Sequence, residues 1–156
     1  MPGKVNKDFA KLKKELAELE KLQVRVGFQR GDTNDEGVDL VDIAVWNELG
    51  TERDGKVHIP SRPFLRQSVE NNEEKIKAFA QKQLKGLGDT TTAKQVLQRL
   101  GIFQKGLVQE TINNGDFIKN APATVARKKS AQPLVNTGQL IQSVNFVIEP
   151  QGDDSD

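Results

Sequence analysis

A chain of 156 residues with 23 basic and 22 acidic side chains has room for one ordinary domain and a formal net charge of only +1. That balance excludes a general pull toward nucleic acid or anionic membrane, and the absence of cysteine excludes disulfides and thiolate metal sites. No apolar run approaches the ~20 residues of a membrane span, and the opening Met1-Pro2-Gly3-Lys4 lacks the apolar stretch of a signal peptide.

The first element is an amphipathic helix over Val5 to Leu22. Val5, Phe9, Leu12, Leu16, Leu19 and Leu22 recur at steps of three and four, with Lys and Glu on the other faces. Such a stripe suits packing on a helix or a sheet, or docking on a neighbouring subunit. From Gln23 to Phe28 the period changes to two, which predicts a half-buried strand. Gln29 to Val38 has no apolar residue until its end and reads as a mobile acidic loop.

Asp39 has the chemistry of an N-cap, and Asp42 places negative charge in the first turn that follows. The helix it opens carries Leu40, Ile43, Ala44, Trp46, Asn47 and Leu49 before Gly50. It is apolar on most sides, which predicts burial, with Trp46 in the core against Phe64 and the Val24–Phe28 strand. Thr51 to Val57 is charged and contains glycine, so it reads as a second flexible loop. Ser61 is placed to cap the next helix, with Arg62 and Pro63 in its first turn. That helix runs to about Lys85 on Phe64, Leu65, Val69, Ile76, Phe79, Ala80 and Leu84, interrupted by polar Asn71 to Glu74.

Thr92 caps a long helix to about Asn114, with Val96, Leu97, Leu100, Phe103, Leu107, Val108 and Ile112 on one face. Gly101 and Gly106 inside it each cost ~1 kcal/mol relative to Ala, which predicts close helix packing as compensation. Phe117 to Pro133 is weakly patterned and basic, through Lys119, Arg127, Lys128 and Lys129. Thr137 caps a short helix with Leu140 and Ile141 facing in; it has no base partner and is read as structural. Val144, Phe146 and Ile148 then alternate as a second strand. Gln151 to Asp156 forms a disordered acidic tail.

These elements predict an α+β fold: a small antiparallel sheet packed against several helices, with a long amphipathic N-terminal helix. Residues 1–150 form a single structural domain, with flexible loops near 29–38 and 51–57. Two strands are too few for a stable sheet, so a third is sought near Lys56 to Ile59 or in a neighbour.

Motifs with chemical content are sparse. Arg30-Gly31-Asp32 is short enough to arise by chance. Gly101 to Gly106 has the glycine spacing of a phosphate loop, but Leu107 stands where the lysine must be. His58 has no histidine or cysteine to join it on a metal. Asp39, Asp42 and Glu48 are accounted for by capping and solubility. The basic cluster lacks interleaved aromatics, so it reads as a solvated or salt-bridging loop. No catalytic, cofactor-binding or metal-binding residue is assigned.

Two stretches carry a resemblance. The first joins Val24-Arg25-Val26-Gly27-Phe28, Ile43 to Thr51 with its Asn47-Glu48-Leu49-Gly50-Thr51, and Ile59-Pro60-Ser61-Arg62-Pro63-Phe64-Leu65. The second joins Ala121-Pro122-Ala123-Thr124, Lys128, Pro133-Leu134-Val135-Asn136-Thr137-Gly138-Gln139-Leu140 and Ser143-Val144. In this order they resemble the neck, tail-completion and HK97-type tail-component proteins of tailed bacteriophages, a group related to the virion-morphogenesis proteins of Mu-like phages. The resemblance spans about Val24 to Ile148. It implies a non-enzymatic α+β protomer without cofactors that forms a ring at the neck or top of the tail. Its partners would be copies of itself and neighbouring neck, tail-terminator or tail-tube proteins, with no membrane and no sequence-specific nucleic acid. It would reside in the virion, and in the host cytoplasm during assembly.

Arg62 and Phe64 are the partner-binding candidates, because two prolines fix their presentation and an arginine fork suits a carboxylate. The alternative function is a regulatory or nucleic-acid-binding helical protein. The two loops predict an isolated chain that is monomeric or weakly associated, since ordering them costs ~1–2 kcal/mol per residue.

Overall fold

The computed structural model describes residues 2–114 and 138–152, with side chains from residue 8 onward. The fold is α+β. In chain order the described elements are α1 (Pro2–Lys21), β1 (Leu22–Gly27), α2 (Leu40–Leu49), β2 (Thr51–Arg53), β3 (Lys56–Ile59), α3 (Phe64–Glu70), α4 (Glu73–Leu84), α5 (Ala93–Asn114), α6 (Gly138–Ser143) and β4 (Asn145–Pro150). Strand β1 pairs with β4 and β2 with β3, giving two separate two-stranded sheets rather than the single sheet expected. The chain divides into two compact units. The described parts of Met1–Val26, Glu73–Gln104 and Phe146–Asp156 form the first, and those of Gly27–Asn72 and Lys105–Asn145 the second.

In the first unit, Leu12 and Leu19 of α1 join Leu100 against buried Leu87, Ala93 and Val96. The Glu15 carboxylate accepts the Ala93 backbone N–H at 2.7 Å, satisfying a donor that the helix itself leaves open. Thr92 caps α5 as expected. Its Oγ1 accepts from the Gln95 N–H, and Gln95 Oε1 accepts from the Thr92 N–H, a reciprocal capping box. Phe79 and Phe103 stack with ring centroids 4.3 Å apart.

Strand β4 returns antiparallel to β1. The Gln151 N–H donates to the Lys21 carbonyl, and the side chains of Gln23 and Arg25 both donate to Glu149. Phe146 of β4 explains one of the two helix-interior glycines. A Cβ on Gly101 would clash with the edge atoms of the Phe146 ring, whereas Gly106 faces open space. The close approach inferred from Gly101 is therefore to a strand's aromatic ring, not to a helix. Gly101→Ala should lose ~1–3 kcal/mol through overpacking, despite alanine's better helix propensity, while Gly106→Ala should gain up to ~1 kcal/mol. Urea unfolding of the pair checks this; equal gains in both would remove the packing role of Gly101.

The helix predicted from Ser61 to Lys85 is two helices. The Asn72 side-chain amide donates to the Ser68 carbonyl at 2.9 Å and closes α3. Glu73 and Glu74 then occupy the first turn of α4, where negative charge is favourable. The polar patch is thus a stop followed by a start, and it lies at the boundary of the two units.

In the second unit, hydrogen bonds run through both of the loop segments, 29–38 and 51–57. Between 29 and 38, Asn34 Oδ1 accepts from the Glu36 and Val38 N–H groups, the Leu40 N–H donates to the Asp32 carbonyl, and Thr33 bridges Asp39. Short polar side chains here replace backbone partners. Thr51 to Val57 belongs to the antiparallel β2–β3 hairpin, with Glu52 opposite Val57 and Arg53 opposite Lys56. Asp54 and Gly55 at its tip have φ of 54° and 73°, the positive values that a tight hairpin turn demands. The third strand does form at Lys56–Ile59, but it pairs with β2 rather than β1.

The buried apolar residues of this unit are Leu40, Ala44, Phe64, Leu107, Val108, Ile112, Leu140 and Val144. Gln109 donates to the Ile141 carbonyl, tying α6 to α5. Among the described residues no helix is long and apolar enough to cross a membrane. The basic segment with Lys119, Arg127, Lys128 and Lys129, the Thr137 cap and the last four residues of the tail lie outside the described residues.

Candidate assembly surface

Helix α2 is held at both ends by side chains. At its start, Asp39 accepts the Val41 N–H at 2.8 Å with one carboxylate oxygen and the Gly31 N–H at 3.2 Å with the other. Arg30 stands 3.7 Å from Asp39 and 3.1 Å from Asp42. The Val41 hydrogen bond above all holds the Asp39 carboxyl below its ordinary value; burial, the next largest effect, opposes it, and the Gly31 hydrogen bond and the charge of Arg30 add to the lowering. A depressed folded-state pKa gives stability that is complete above the unfolded value of ~3.9 and is lost as pH falls through the folded value. The urea midpoint of the wild type should therefore fall more steeply below about pH 4 than that of Asp39→Asn. Parallel midpoint profiles would contradict this.

At its other end, α2 supports α3. Glu48 accepts the Leu65 N–H at 2.8 Å and the Arg66 N–H at 3.0 Å, so its carboxylate satisfies two open donors at the start of α3. The Ser61 hydroxyl donates to the Glu48 carbonyl at 2.8 Å, and the Arg62 N–H donates to the Asn47 carbonyl. Ser61 is therefore not the cap of α3. Pro63 stands at that position without a side-chain bond, and Glu48 does the capping from another helix. Gly50 lets the chain pass beneath this brace: its φ is 74°, and a Cβ there would lie 2.8 Å from backbone atoms of both Ile59 and Ser61.

The two partner-binding candidates lie inside the brace. Phe64 is 0% exposed and packs edge-on against Phe28, and Arg62 is 6% exposed. Burial pushes the Arg62 guanidinium below its ordinary value. Both side chains are therefore buried in this conformation.

Trp46, expected in the core, is 41% exposed. Leu40 and Ala44 are the buried positions of α2, four residues apart on one face. Val45, Trp46 and Leu49 fall on another face and are exposed by 46%, 41% and 74%. A helix that is apolar all round has lost the contrast that would tell its two sides apart. Phe64 packs edge-on against Phe28, with the Trp46 ring left partly exposed. The β2–β3 hairpin, one residue beyond α2, adds exposed Val57.

Among the described residues no group of three or more His, Asp and Glu side chains is placed to hold a metal ion. Asp39 and Glu48 cap different helices, α2 and α3. What fold and surface define is an α+β chain with an uncovered apolar helix face held by a hydrogen-bonded brace. No family model, curated protein or solved structure matches this chain.

Proposed function

We propose that this chain is a structural virion protein of a tailed phage or prophage. It acts in head–tail joining or tail completion, as a protomer of a ring at the neck or the top of the tail. The observation that supports the reading most is the brace itself. Asn47-Glu48, Gly50-Thr51 and Pro60-Ser61-Arg62-Pro63-Phe64, separate motifs in the sequence, interlock through Glu48 and the Ser61 and Arg62 hydrogen bonds. Residues that carry the resemblance thus join α2, on which Val45, Trp46 and Leu49 are exposed, to the start of α3. Three large apolar side chains side by side on one helix form a surface suited to protein contact.

On this reading the protein has no catalytic role and needs no cofactor. Its partners are copies of itself and adjoining neck, tail-terminator or tail-tube proteins; it is found in the virion, and in the host cytoplasm during assembly. Electron microscopy of particles made without the protein tests this. Filled heads and separate tails are expected, and normal joined virions would overturn the reading.

A further inference from the structure

The β2–β3 hairpin turns through Asp54 and Gly55, and no other aspartate of the chain is followed by glycine. Both residues are exposed, as are Glu52, Arg53, Lys56, Val57 and His58 around them. Among the described residues Asp54 is the one non-glycine with a positive φ, 54°, and Gly55 follows at 73°. Gly55 has no side chain to shield its nitrogen, and beyond its chain neighbours no atom lies within 4 Å of the place a Cβ would take. Among the described residues no hydrogen bond or ion pair holds the Asp54 carboxyl group.

We propose that Asp54-Gly55 is a site of spontaneous covalent modification, at which Asp54 rearranges to isoaspartate and unlatches the hairpin. The Gly55 nitrogen attacks Cγ of the protonated Asp54 carboxyl group. A C–N bond forms and the C–OH bond breaks. The hydroxyl leaves as water with the proton from the nitrogen, and a five-membered cyclic imide remains. Water then adds to one of the two imide carbonyls. Opening at Cγ restores aspartate. Opening at the Asp54 main-chain carbonyl leaves Gly55 joined to Cγ, so the backbone runs through the side chain and is one atom longer. One water is lost and one gained, so no other reactant is required.

The closed turn holds the chain in one conformation, and the attack proceeds when the tip opens. Opening costs little here. Strands β2 and β3 are three and four residues long and pair only with each other, and a lone two-stranded hairpin is marginal in water. The side chains that part at the tip are exposed, so no buried contact is lost. After the rearrangement the turn cannot close again. A two-residue hairpin turn needs both central residues at positive φ on a backbone of normal spacing. The added atom takes Arg53 and Glu52 out of register with Lys56 and Val57. A transient opening thus becomes a permanent one. The inference is independent of the neck reading.

The test is ageing of the full chain for weeks at mildly acidic pH, followed by digestion with an endoproteinase that cuts before aspartate but not before isoaspartate. Cleavage before Asp54 should be lost, without change of mass, ~10-fold faster than before any other aspartate, because only there does glycine supply the attacking nitrogen. A protein-isoaspartate methyltransferase with S-adenosylmethionine should methylate the hairpin peptide of the aged wild type and not that of aged Asp54→Glu, whose imide would need a six-membered ring. Amide exchange over residues 51–59 should accelerate in the aged wild type while that of α5 stays unchanged. Loss of cleavage at Asp54 no faster than elsewhere, or equal methylation of the Asp54→Glu peptide, would overturn the site. Isoaspartate at position 54 with unchanged exchange over 51–59 would overturn the unlatching.

Discussion

Phe64→Ala should destabilise the second unit by ~3–5 kcal/mol, the loss expected for a fully buried aromatic that leaves a cavity. Phe64 is 0% exposed and meets the Phe28 ring edge-on at a centroid distance of 5.9 Å. Truncation removes both the burial and this contact. Trp46 is the single tryptophan and lies in the same unit, so urea unfolding followed by its fluorescence reports the loss directly. Trp46→Ala, followed by circular dichroism, should change stability by only about 1 kcal/mol, because its ring already meets water. A large loss from Trp46→Ala and a small one from Phe64→Ala would restore the arrangement expected from the sequence and contradict the structure.

Gly50→Ala should be nearly as damaging, by ~3 kcal/mol, through backbone strain and steric conflict together. The φ of 74° and ψ of 171° at Gly50 fall in a region almost confined to glycine. The added Cβ would lie 2.8 Å from the Ile59 carbonyl oxygen and the Ser61 nitrogen. Both are backbone atoms, so no side chain can swing aside. Relief requires the 59–61 segment to move, which breaks the Ser61 bond to Glu48 and loosens the cap on α3. Amide exchange at Leu65 and Arg66 should accelerate in the variant along with the fall in stability. Wild-type stability with unchanged exchange at both amides would show that Gly50 is not needed for the brace.

Local chemistry was legible in the sequence wherever the partners are close in the chain. Asp39 and Thr92 cap within three residues, and period-two alternation marks both β1 and β4. The hairpin was legible too: Asp54-Gly55 is a strong turn signal, but the charge around it made the segment resemble a loop. The Glu48 cap was not legible, because its acceptors meet Leu65 and Arg66, 17 and 18 residues further on. Nor was the outward turn of Trp46, since α2 carries apolar residues on every side and only the tertiary packing of Leu40 and Ala44 selects its inner face. Gly101 announced a close approach without announcing Phe146, which lies on a strand 45 residues away. As for the candidate site, the motifs were legible but their roles were not. Arg62 and Phe64 read as contacts and are buried in the structure, while the exposed apolar residues Val45, Trp46 and Leu49 lie on α2.

The proposed function is head–tail joining or tail completion in a tailed phage. It is tested most directly by adding the purified wild-type protein to a lysate of the phage made without it and counting joined, infectious particles. The account predicts that joined particles and infectious titre both rise with added protein. A titre unchanged at every protein concentration, with heads and tails still apart, would contradict it.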